Sequence, residues 1–146
     1  MTAGDSLPYF EQYLQQLRTE LEAYPSEDTL WLQPEGISNT AGNLAYHLLG
    51  NLNHFIGTAL GRTGYVRDRE LEFSIKHVAR TELLAWLAET EQMVADTLST
   101  IDDFDAPYPA GYRTEPSTIG GQLYRLLTHL AYHVGQINYH RRLLTA

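Results

Sequence analysis

The sequence predicts an all-α fold, a four-helix bundle with long irregular connections, on two observations. Four long segments carry apolar residues at helical spacing, and the clusters of proline and glycine fall between them. A chain of 146 residues has the length of one domain and buries enough surface to fold on its own core, so residues 1–146 are read as a single domain.

The first helix is expected from about Leu7 to Tyr24, with Pro8 in its opening turn, Phe10, Leu14, Leu17 and Leu21 on one face, and Pro25 closing it. A loop through Trp31, Pro34 and Gly36 leads to Ser38 and Asn39, which suit the N-cap of a second helix running to Leu60. Gly61 suits the left-handed position that ends it. The charged connection Arg62 to Arg80 has no clean period and reads as irregular. A third helix spans Thr81 to Ile101, with Leu83, Leu84, Leu87, Val94 and Leu98 inward. Residues Asp102 to Pro116 form a proline-rich loop with a short extended piece around Tyr108 to Arg113. Ser117 or Thr118 then caps a last helix that reaches Leu144.

Composition narrows the chemistry. Without cysteine there are no disulfides and no thiolate ligands, so a metal must be held by imidazole or oxygen and a thiol must arrive with a substrate. A net charge of −8 without a block of Lys or Arg argues against nucleic acid. Met1 to Phe10 lacks the basic start and apolar run of a signal peptide. The greasiest stretch, Leu44 to Leu60, is broken by His47, Asn51, Asn53 and His54, so the expectation is a cytoplasmic protein with no membrane span.

The informative feature is a second, polar column beside the apolar stripe of the last helix. Leu123, Leu127, Leu130, Val134, Ile137 and Leu144 make an ordinary core face. Next to them run Gln122, Leu126, His129, His133, Gln136 and His140. His129 and His133 are four apart, so both rings leave the same side of the helix and can chelate one ion. The second helix repeats the pattern with Asn43, His47, Gly50, His54 and Gly57. Each of those glycines costs about 1 kcal/mol in a helix interior relative to alanine, which pocket space or close packing would justify, pocket space being favoured. The plainer alternative is a set of core histidines with satisfied hydrogen bonds. Leu130 stands where a metalloprotease helix would place its glutamate, and no histidine follows a glutamate by three residues, so neither HExxH proteolysis nor a di-iron carboxylate bundle fits.

Three segments, Asn43-Leu-Ala-Tyr-His47-Leu-Leu-Gly-Asn51, Gly64-Tyr-Val-Arg-Asp-Arg-Glu-Leu-Glu-Phe73 and His129-Leu-Ala-Tyr-His133-Val-Gly-Gln-Ile137, resemble in order the DinB-like superfamily of small bacterial four-helix metalloproteins. The resemblance implies a metal triad of one histidine from helix two and two from helix four, which falls on His47, His129 and His133. Three protein ligands leave positions open for water or substrate. It also implies one zinc or nickel ion per chain and activation of a low-molecular-weight thiol, or of water, against a small molecule. A homodimer is expected, and the competing function is a non-catalytic metal- or ligand-binding stress-response protein.

Around that triad, His54, Gln136, His140 and Asn43 are candidates for outer hydrogen-bond partners or pocket residues, and no catalytic residue is singled out. Each also has a plain reading as a pocket-edge histidine or an interhelical amide bond. Arg67 and Arg69 are candidate anion anchors, with pairing to Asp68, Glu70 and Glu72 as the alternative. His77 is read as surface, and Tyr132 and Tyr139 as packed between helices.

Overall fold

The computed structural model describes residues 3–145, and among them the chain is all-helical. In order, the helices are α1 (Ala3–Ala23), α2 (Glu27–Leu30), α3 (Ala41–Leu52), α4 (Arg69–Ser74), α5 (Arg80–Ser99) and α6 (Ile119–Leu144). A π-helical stretch, Asn53–Thr58, continues α3. None of them is long and apolar enough to cross a membrane.

The starts follow side-chain chemistry. Thr40 Oγ1 accepts from the Asn43 amide at 3.0 Å, and Thr118 Oγ1 from that of Gly121 at 3.0 Å, each satisfying a donor that the first turn leaves free. The α3 cap is thus Thr40, one residue beyond the expected Asn39. The α5 N-terminus borrows its partner from α2, the Arg80 amide donating to Glu27 Oε1 at 2.9 Å.

The apolar stripes meet as their spacing requires. Phe10, Leu14, Leu17 and Leu21 of α1 face Leu83, Leu87, Val94 and Leu98 of α5 and Leu123, Leu130 and Ile137 of α6, all buried. The α3 helix is buried nearly all round, only Tyr46 being partly open, because α4 covers the side that α5 and α6 leave free. That cover makes a column of polar residues on α3 internal.

Several expectations change. The connection Arg62 to Arg80 is not wholly irregular: Asp68 Oδ1 accepts from the Leu71 amide at 3.0 Å and starts α4. The second helix does not stay α-helical to Leu60. Asn53 Nδ2 donates to the Leu49 carbonyl at 2.9 Å and to Thr90 Oγ1 of α5 at 2.8 Å. Beyond it the ladder takes wider steps, Ala59 N–H to His54 O and Gly61 N–H to Ile56 O. The left-handed residue is Arg62, with φ 53°, rather than Gly61; Gly61 instead lies so near Thr97 that a Cβ would come within 2.5 Å of its Oγ1. The extended piece near Tyr108 is a single bridge, Pro107 to Thr118. Tyr132 and Tyr139 are 64% and 67% exposed, on the outer face of α6 rather than between helices.

Candidate metal centre

His47 comes from the covered column of α3, and His129 and His133 come from the polar column of α6. The docking of those two helices brings the three rings together, one ligand nitrogen from each within 4.8 Å of the others. His129 Nε2 stands 3.0 Å from His47 Nε2 and 3.1 Å from His133 Nε2. Nitrogens bound about 2.0–2.1 Å from one tetrahedral ion lie roughly 3.3 Å apart, so the spacing is close to that of a ligand set.

Outward contacts fix which nitrogens are free to bind. His47 Nδ1 donates to Glu72 Oε1 at 2.8 Å, and His133 Nδ1 donates to Gln136 Oε1 at 2.7 Å, which leaves a lone pair on each Nε2. His129 Nδ1 is buried without a partner. With its proton on Nε2, His129 can satisfy only one of its two neighbours; with the proton on Nδ1, three lone pairs converge. Protons alone satisfy neither arrangement, whereas a cation bound by all three nitrogens does.

The electrostatics favour the neutral form of the two rings on α6. Burial, then the nearby His133 and His47, lower the His129 pKa from 6.5 to about 4. Burial also lowers that of His133, against the opposing Gln136 hydrogen bond. Neutral imidazole is the metal-binding form.

Glu72 is the residue that the sequence reading missed. Its side chain is fully buried between α4 and α3, where it accepts from His47 and, through both oxygens at 2.8 Å, from Arg67 Nε and a terminal Arg67 nitrogen. Burial pushes its pKa up, yet the bonds from His47 and Arg67 outweigh that and hold it below 4.5, so it is an ionised acceptor. Space for it comes from Gly50, where a Cβ would collide with the carboxylate. Close packing, rather than the pocket space favoured from the sequence, is therefore the reason for Gly50. Gly57 answers to packing, its Cβ position lying 3.2 Å from Thr63 Oγ1 and 3.3 Å from Met93 Sδ.

The remaining candidates separate clearly. Asn43 donates to the carbonyls of Glu72 and Ile75 at 3.0 and 2.8 Å and accepts from Thr40 and Lys76, so it pins α4 to α3 and has no amide group left for a ligand. His140 lies between the Tyr24 hydroxyl at 2.7 Å and the Leu32 carbonyl at 2.8 Å, a satisfied buried histidine that ties α1, α6 and the loop after α2. His54 stacks near Phe55 and Tyr112, outside the three-histidine cluster, and burial followed by the Arg67 charge lowers its pKa. Arg67 is bound to Glu72, and the Arg69 guanidinium lies over Phe73, whose ring lies 4.7 Å from that of His47. His77, with φ 58°, sits beside Trp31.

A family profile described as a protein of unknown function, DUF1572, matches residues 6–146, nearly the whole chain. The chain belongs to the DUF1572 family. The matched span includes every residue of this cluster, so the histidines, Glu72 and Arg67 of this DUF1572 chain all lie within the family's own domain. No curated protein and no solved structure matches the chain.

Proposed function

We propose that this DUF1572 chain is a DinB-like four-helix protein and a mononuclear divalent-metal enzyme, with His47, His129 and His133 as ligands. The observation that carries the reading is the convergence of three Nε2 atoms whose rings are, at His47 and His133, oriented from behind by Glu72 and Gln136. Imidazole ligands suit zinc and nickel alike. Bound there, such an ion supplies a lowered pKa to a thiol or water at its open positions. The protein's own part is to hold the rings, to favour the neutral form of His129 and His133 by burial and, through Glu72, to strengthen His47 as a donor. The reaction class is transfer of a low-molecular-weight thiol to, or hydrolysis of, a small molecule, as the resemblance implies.

Elemental analysis of untagged protein beside a His47→Ala/His133→Ala variant tests the reading. About one ion per chain is expected, lost in the variant together with turnover while the helical circular dichroism persists. No uptake after reconstitution with zinc or nickel would overturn the metal site, and turnover in the stripped variant would overturn the metal-dependent enzyme.

A further inference from the structure

A cavity of about 370 Å³ opens beside His129, between the end of α3, the loop before α6 and α6 itself. Its wall combines Phe55 and Tyr112 with Asn51, Gln122, Arg113 and Arg125, and no carboxylate side chain lines it. In a chain with net charge −8, a recess with two guanidinium groups and no acid is a local reversal of sign. Arg113 is held in place by donating to Gln122 Oε1 and, at 3.4 Å, to the Glu115 carbonyl. Arg125 has no side-chain hydrogen bond or ion pair among the described residues and stands one helical turn before His129, on the same face. Asn51 is only 7% exposed and its Oδ1 has no hydrogen-bond partner, an unmet acceptor in the cavity wall.

We propose that this cavity binds a small organic anion, its negative group held by Arg125 and Arg113, an amide or hydroxyl meeting Asn51, and its other end directed at His129. A guanidinium binds a carboxylate through paired N–H groups, and the aromatic wall favours a flat or apolar body over a bare inorganic ion. Direction toward His129 places the ligand at the metal and so rests on the function proposed above; the grip on the anion does not.

The probe pair is N-benzoylglycine and its uncharged amide, N-benzoylglycinamide, which share the ring and the amide and differ in charge. Calorimetric titration is run on wild type, Arg125→Gln and Arg113→Gln, each zinc-loaded and zinc-stripped, with inorganic phosphate as a further ligand. The expected result is at least a tenfold preference for the acid in both metal states, and at least tenfold weaker binding of phosphate. Arg125→Gln, a change at an exposed helix position that leaves the fold intact, is expected to lose the preference while affinity for the neutral amide stays the same. Equal affinity for acid and amide, a preference that survives both arginine variants, or phosphate binding as tightly as N-benzoylglycine would each overturn the anion site. A preference lost with Arg125 in protein that takes up neither zinc nor nickel supports the anion site and ends the metal reading; metal uptake without any preference does the reverse.

Discussion

At the scale of single residues, Glu72 joins the metal reading to the stability of the fold. It is the acceptor that orients His47 and the counter-charge for a nearly buried Arg67, so Glu72→Gln is expected to act twice. Loss of an outer partner of this kind lowers metal affinity by about 10–100-fold, measurable by competition with a chromophoric chelator. Leaving Arg67 without its partner costs about 3 kcal/mol in denaturant unfolding of the metal-free protein. Unchanged zinc affinity in that variant would remove Glu72 from the site. The histidines were legible in the sequence because a helix puts residues four apart on one side. Glu72 was not, because a glutamate among Arg67, Asp68, Arg69 and Glu70 reads as surface, and only the docking of α4 onto α3 buries it. Arg125 was hidden for a related reason: a lone cation on a helix has no pattern until a cavity forms beside it.

At the scale of elements, α3 shows how one missing side chain can set the position of a neighbour. Alanine at position 50 gains about 1 kcal/mol of helix propensity, but its Cβ would run into a carboxylate that three hydrogen bonds hold in place. Overpacking of that sort costs about 1–3 kcal/mol, so Gly50→Ala is expected to lower the urea midpoint and, by moving Glu72 off His47, to weaken zinc binding as well. A midpoint equal to or above that of wild type would mean that Glu72 moves aside freely. The helical stripes of α1, α5 and α6 were readable from periodicity alone. The π-helical stretch was not; it begins at Asn53, whose side chain bonds Thr90, a residue 37 positions away that periodicity does not report. The outward tyrosines of α6 likewise show that period tells which residues share a face, while the neighbours decide which face is covered.

For the whole molecule, the histidine cluster sets a response to acid. The folded His129 pKa is depressed to about 4 from 6.5, so the unfolded chain takes up that proton first; the stability contributed is complete above about 6.5 and is lost as pH falls toward 4. His133 shifts in the same direction, and Glu72, held below 4.5, extends the loss to lower pH. The urea midpoint of chelator-treated protein is expected to fall steadily between pH 7 and pH 4.5. With zinc bound the fall should be steeper, because protons then also displace the ion. A flat midpoint across that range would contradict the lowered pKa values of His129 and His133.

The three histidines also come together unequally in time. His129 and His133 meet as soon as one turn of α6 exists, and an isolated helix forms within about a microsecond. His47 lies 82 positions away from His129 and arrives only when α3 has docked, after the long loop between them has closed. An ion met early is therefore held first by a local pair in a chain not yet folded, and the third ligand comes as the tertiary structure completes. Any affinity of that early pair subtracts from the stability that the finished site gains from its ion, since only the difference in binding between folded and unfolded chain counts. The three-histidine cluster thus comes into being last, with the docking of α3 against α6.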